Sequence, residues 1–126
     1  MNQSYFQLAG GTEGMQCLAA AFYRHVFADP VMIPLFRNPN DDHVGRMALW
    51  LGEFFGGPAE HTYQRGGFST VASVHHTLNI QDVQREHWIE HMLAACDEVN
   101  MPAEVMEYFV PHIHFGAQAT QRFSRW

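Results

Sequence analysis

Histidine is the residue type that most invites chemistry in this chain. There are nine, against seven lysines and arginines together. Imidazole titrates near neutrality and is the commonest metal ligand. His75 and His76 follow Phe68-Ser-Thr-Val-Ala-Ser-Val, a segment without charge. A neutral imidazole leaving an apolar helix can bind iron from one side of a flat ligand; a core histidine with a satisfied hydrogen bond accounts for the same pattern. His87 and His91 stand four apart and share a helix face, a permissible metal pair. Spacing places no third ligand beside them, so they read as an exposed pair. His112 and His114, two apart, point in different directions and read as surface or partly buried. His25 and His61 have no informative context.

Other templates are missing. The chain contains no GxSxG, HExxH, Walker loop or dinucleotide fingerprint. Cys17 and Cys96 form no CxxC motif, and each lies in an apolar helical stretch. Both are read as buried, reduced thiols. The aromatic residues say more. Tyr23 lies on an otherwise apolar helix face and Trp88 in the middle of a long helix; each is a large apolar body with one polar hydrogen that needs a partner when buried. With Phe22, Phe36, Met47, Trp50 and Phe54 they leave room for a large aromatic ligand with one polar centre. An ordinary aromatic-rich core, with tyrosine reaching the surface, is the alternative.

These residues need helices to position them. Thr12 caps a helix over about 13–28, with Met15, Leu18, Ala19, Phe22, Tyr23 and Val26 at helical spacing. Asp29-Pro30, Pro34 and Pro39 break it and leave a short turn from Val31 to Phe36. Asp41 and Asp42 open a helix carrying Val44, Met47, Ala48, Leu51, Phe54 and Phe55, which Gly56-Gly57-Pro58 ends. Residues 58–68 read as loop and Phe68 to Leu78 as a short helix. Asn79 caps a long helix from Ile80 to Val99, with Val83, Trp88, Met92, Ala95 and Val99 inward. Pro102 starts the last helix, bearing Val105, Met106, Phe109, Ile113, Gly116 and Phe123, and Pro111 should bend it. No alternating strand pattern is present, so the class is all-α.

Composition bounds the rest. With 126 residues, 47% apolar and 13% aromatic, the chain is expected to form one domain over 1–126. The formal charge of −6 includes no basic stripe to follow a phosphate backbone, which argues against nucleic-acid binding. Protonating every histidine would carry it to +3, so the surface field is pH-sensitive. The longest apolar run, Cys17 to Tyr23, is seven residues, too short to cross a bilayer. The start, MNQSYFQLAGG, lacks the basic and apolar regions of a signal peptide, and a cytoplasmic protein is expected.

Over nearly its whole length the chain resembles the truncated haemoglobins, group II most closely. Leu8-Ala-Gly-Gly-Thr-Glu-Gly is similar to the glycine signature joining that family's first two helices. Phe22-Tyr23 resembles its distal pair, and Pro34-Leu35-Phe36 the bend that places a ring against the haem. Phe54-Phe55-Gly-Gly-Pro58, followed by Tyr63 and Gly66-Gly67, is similar to the segment before the proximal helix. His75, Ile80 five residues on and Trp88 eight beyond that match the spacing from proximal histidine to tryptophan.

The resemblance implies a two-over-two helical sandwich enclosing haem b, with His75 as the iron ligand; His76 is the runner-up. It makes Tyr23 and Trp88 hydrogen-bond donors toward a diatomic ligand, beside Phe22, and places Phe36, Met47, Trp50 and Tyr63 at the haem. His43 falls at the distal gate position, where group II members often have a small residue. It is read as gate, donor or sixth ligand, or as a solvent-facing residue. Val74 stands where an arginine is common, leaving Tyr63, Arg65, Arg46, His76 or water for the haem propionates.

The implied function is binding of O₂, CO and NO, with two polar donors slowing release and favouring scavenging over delivery. The alternative is a haem redox enzyme, an NO dioxygenase or peroxidase-like, which would need an external reductase because the chain has no flavin or nicotinamide domain. A third reading, from another class, is a non-haem helical metal or sensor module built on His87 and His91. The expected assembly is a monomer or homodimer.

Overall fold

The computed structural model describes residues 4–36, 41–65 and 78–124. All regular structure among them is helical, as expected. In chain order the elements are α1 (Tyr5–Leu8), α2 (Gly11–Phe27), a 3₁₀ turn (Ile33–Leu35), α3 (His43–Phe54), α4 (Glu60–Arg65), α5 (Asp82–Glu98) and α6 (Ala103–Phe123). Helix α2 packs on both α3 and α5, α5 on α6, and α3 on α4.

The core follows the helical stripe of α2. Met15, Leu18, Ala19, Phe22, Tyr23 and Val26 recur at three- and four-residue steps and are all buried. They meet Ala48 and Leu51 of α3, Met92, Ala95 and Cys96 of α5, and Val105, Phe109 and Ile113 of α6 in one cluster. Side chains as fully buried as Phe22, Met15 and Leu18 each contribute about 1.5–3 kcal/mol relative to exposure. Cys96 lies in this core, where burial pushes its thiol up to about 12. Cys17 does not. It is exposed, because one residue of helix turns it about 100° off the stripe that Leu18 occupies.

Helix starts and stops explain most departures from the sequence reading. α1 is four residues long, too short to show a period, but carries a reciprocal cap: Ser4 Oγ accepts the Gln7 N–H at 3.2 Å and Gln7 Oε1 accepts the Ser4 N–H at 3.1 Å. α2 begins at Gly11 rather than at residue 13, and its cap is Gly10 at φ 100°, not Thr12. The end of α1 then lies so close to α2 that a Cβ on Gly14 would stand 2.0 Å from the Ala9 carbonyl oxygen. α3 ends as read. Gly56, at φ 89°, donates to the Glu53 carbonyl and Gly57 to the Gly52 carbonyl, the paired bonds of a Schellman stop.

Part of the expected 58–68 loop is helix α4. The Glu53 carboxylate, projecting from α3, accepts the Thr62 backbone N–H at 2.9 Å and the Thr62 hydroxyl. These bonds hold the Glu53 carboxyl below its ordinary range. The expected 68–78 helix lies outside the described residues. α5 starts at Asp82, after Ile80, and Asn79 is not its cap but sits at φ 50°. The Gln81 N–H is taken instead by Gln84 Oε1 at 2.9 Å. Val83 faces outward, 48% exposed. The Asn79 N–H donates to the Ser124 carbonyl at 2.9 Å and the Ile80 N–H to the buried Ser124 Oγ at 2.8 Å, so the end of α6 fixes the entry to α5. α6 is helical across Pro111.

Two glycine substitutions test this packing in opposite directions. Gly14→Ala forces α1 and α2 apart and should cost about 3 kcal/mol by urea unfolding. Gly116→Ala on α6, whose Cβ meets nothing within 4 Å among the described residues, should stabilise by about 0.5–1 kcal/mol.

Candidate functional site

Tyr23 and Phe22 are consecutive on α2, so their rings leave the helix about 100° apart. Phe22 points into the core and is fully buried, while Tyr23 sits at its edge, 9% exposed. The two rings meet edge to face at 5.0 Å. Phe22 also meets Trp88 of α5 edge to face, at 5.3 Å. On its other side Tyr23 contacts Phe36, at 5.9 Å, and His43, at 5.6 Å. The 3₁₀ turn delivers Phe36 in extended backbone immediately after Leu35. Asp42 fixes His43 as the first residue of α3 by accepting the Gly45 N–H at 2.9 Å. Phe36 and His43 themselves meet edge to face at 5.1 Å.

Five predicted residues, Phe22, Tyr23, Phe36, His43 and Trp88, therefore converge from four elements. Phe27 joins them, stacked on Tyr23 at 5.5 Å and near Phe36 and His43. The sequence reading missed it, although its place one turn after Tyr23 was a usable signal. Met47 is half-buried against the core. Trp50 pairs with His61 edge to face at 5.3 Å. His61, without informative context in the sequence, is buried. Its burial lowers its proton affinity, against the opposing pull of Glu53. His75, His76 and the side chain of Tyr63 lie outside the described residues.

Electrostatics separate the polar groups of this cluster. Burial pushes the Tyr23 phenol above its ordinary range, with the Arg46 charge pulling weakly the other way. The phenol therefore stays protonated and remains a hydrogen-bond donor. Arg46 is half-buried, its Nη1 3.5 Å from Asp41. Its Nε and the Nδ1 of His61 are buried with no hydrogen-bond partner among the described residues. Such nitrogens are costly unless an acceptor is supplied. A flat aromatic cofactor bearing carboxylates would supply ring surface to the aromatic wall and acceptors to these nitrogens. The residues present fit haem in that sense. Arg65, the other candidate for its carboxylates, ends α4 and is exposed.

His87 and His91 are not the exposed pair expected. Their side chains are 31% and 18% exposed, and both meet one carboxylate oxygen, Oδ2 of Asp29. The distances are 2.7 Å from His87 Nδ1 and 2.6 Å from His91 Nε2. These bonds, His87 first, hold the Asp29 carboxyl down to about 2. No local pattern could have found Asp29, which is 58 and 62 residues away along the chain. His112 and His114 are exposed, as read.

Long helices thus gather a buried phenol, an indole and a wall of rings in an all-α frame. A family model for bacterial-like globins matches residues 4–122, and the chain belongs to that family. The chain is 23% identical over 108 residues to the group 2 truncated hemoglobin YjbI of Bacillus subtilis, which spans 86% of this chain and 81% of that protein. It superposes on the hemoglobin of Chloroflexus aurantiacus with a TM-score of 0.86 and 28% identity, covering 94% of this chain and 98% of that one. For the group II truncated hemoglobin of Bacillus anthracis the TM-score is 0.86 at 23% identity, covering 95% and 92%. The truncated-haemoglobin resemblance and the two-over-two fold read from the sequence are borne out. Membership of the globins implies haem and small gaseous ligands. No described helix is long and apolar enough to cross a membrane.

The buried phenol has a direct signature. In protein carrying ¹³C-labelled tyrosine, the Cζ resonance that disappears in Tyr23→Phe should not move between about pH 8 and pH 11, spanning the usual tyrosine range. A Tyr23 resonance titrating near its ordinary value would show that the phenol is not desolvated.

Proposed function

We propose that this chain holds haem b with His75 as the iron's protein ligand and binds dioxygen, CO and NO in a pocket walled by Phe22, Phe36 and Met47. Haem, held by His75, would supply an iron able to take a diatomic ligand. The observation that carries the reading is the convergence of Tyr23 and Trp88 on Phe22 from two different helices. His75 enters on the sequence spacing to Ile80 and Trp88. The anchoring of Asn79 and Ile80 to Ser124 supports it, because it pins the chain four and five residues downstream.

Each group then has a task. The Tyr23 phenol, kept neutral by burial, and the Trp88 indole N–H donate toward a diatomic ligand that gathers negative charge. In a water-poor pocket such bonds are stronger than in water. Phe22, fully buried, sets the angle between the two donors. His43, wedged against Tyr23, Phe27 and Phe36, is the gate on the solvent side. Arg46, whose Nε has no partner among the described residues, holds a haem carboxylate, with Trp50 and His61 flanking the macrocycle and Tyr63, Arg65 or His76 as further partners. Two donors favour retention of ligand, and so scavenging over delivery, in a cytoplasmic setting.

At about 1–1.5 kcal/mol per hydrogen bond, Tyr23→Phe and Trp88→Phe should each speed O₂ dissociation roughly tenfold, measured by stopped flow, and the pair roughly a hundredfold. A wild-type rate as fast as that of the double variant would defeat the donor assignment. His75→Ala should lose the Soret band after haem reconstitution and extraction. Full haem affinity in that variant would transfer the ligand role elsewhere, with His76→Ala as the next test. His43→Ala should accelerate CO entry with unchanged ferric and ferrous resting spectra; a lost low-spin spectrum would make His43 a sixth ligand instead.

A further inference from the structure

Asp29, His87 and His91 have no task in the haem pocket, yet they are the one group among the described residues whose donor atoms could jointly hold a metal ion. Their three donor atoms lie within 4.8 Å of one another, on partly buried side chains. We propose that these three residues bind a divalent transition-metal ion of the zinc class, at a site separate from the haem. Two imidazoles and one carboxylate make a common protein ligand set for such an ion, with a fourth position left to water.

Three observations carry the assignment. First, the site is preassembled across the fold. His87 and His91 stand one turn apart on α5, and Asp29 arrives from the turn after α2, with both nitrogens directed at the same oxygen. Second, the carboxylate is oriented by the backbone. Its other oxygen, Oδ1, accepts the Val31 N–H at 3.0 Å, while Gln84 Nε2, one turn before His87, donates to the Val31 carbonyl at 3.2 Å. Outer bonds of this kind fix ligand geometry in metal sites. Third, the surroundings suit a cation. Glu86 and Glu90 lie close enough to act on His87, and the three side chains are 13–31% exposed, open enough for an ion to enter.

The metal competes with protons for the same lone pairs. In a tetrahedral zinc site, bonds of about 2.0–2.1 Å put ligand atoms about 3.3 Å apart. The hydrogen-bonded contacts of 2.6 and 2.7 Å would open by about 0.7 Å, which side-chain torsions at a partly exposed rim can supply. Zinc then takes the two nitrogen lone pairs, each bridging proton passing to solvent or being replaced by one on the other nitrogen of its ring, and ties α5 to the turn that leads to Phe36.

The test uses purified, haem-loaded protein stripped with a chelator and titrated with zinc chloride at neutral pH against a chromophoric zinc indicator. The expected result is one ion per chain in the low-micromolar range and an upward shift of the thermal midpoint with zinc. His91→Gln and His87→Gln, which keep a hydrogen-bonding group but not an imidazole, should each weaken binding at least tenfold with unchanged helical circular dichroism. Zinc should bind without altering the Soret band of the haem-loaded protein, which separates this site from the haem assignment. Zinc-edge X-ray absorption of the one-ion complex should show two imidazoles in wild type and one in His91→Gln. Absence of binding below about 1 mM would leave the cluster as a proton-bridged clasp and overturn the proposal. So would an affinity unchanged in both glutamine variants, or a zinc shell without imidazole.

Discussion

The burial of the Phe22–Tyr23 edge of α2 is the constraint on which the other elements depend. Phe22 is fully buried and Tyr23 nearly so. One helix must therefore close the core with α3, α5 and α6 and carry a phenol into it. Moving a phenol out of water has a cost, which the surrounding apolar contacts offset. A one-residue slip of α2 would rotate the phenol about 100° and exchange Phe22 for a smaller or more polar neighbour. Core burial and the placement of the phenol thus share one helical register.

That register is held from its two ends. At the start, the turn at Gly10 and the close approach at Gly14 lock α1 against α2, while the Phe6 N–H donates to the Phe55 carbonyl at 2.9 Å and pins α1 to the end of α3. At the far end, Asp29 takes the backbone of Val31 and the rings of His87 and His91. α5 therefore faces two ways. Trp88 looks to Phe22, while Gln84, His87 and His91, at helical spacing, grip the turn over 29–31 that delivers Phe36. The polar clasp and the aromatic cluster are adjacent products of one helix–turn contact.

The described residues on either side of 66–77 are held by other tertiary bonds. Glu53 reaches from α3 to the backbone and hydroxyl of Thr62 in α4. Ser124 takes the N–H groups of Asn79 and Ile80 before α5. Arg85 Nη1 donates to Gln121 Oε1 at 2.9 Å and Gln121 Nε2 to Asp82 at 2.7 Å, which closes α5 against the last turns of α6. Few of these bonds are strong alone, since a net contribution of about 1 kcal/mol each is typical. Their value is positional: they decide where the chain re-enters the helical stack.

The sequence by itself determined the all-α class, the buried stripe of α2, the glycine stop after α3 and the family resemblance, including Tyr23 and Trp88 as the polar aromatics to watch. Those features are local, because a helix repeats every 3.6 residues and a glycine in the left-handed region needs no distant partner. Tertiary structure decided the rest. It turned Cys17 outward, buried His61 against Trp50, made α4 a helix through a carboxylate nine residues upstream, and brought Asp29 to His87 and His91. Each of those outcomes rests on contact between groups remote in the chain or on which side of a helix finds a neighbour. Periodicity along one segment carries no information about either.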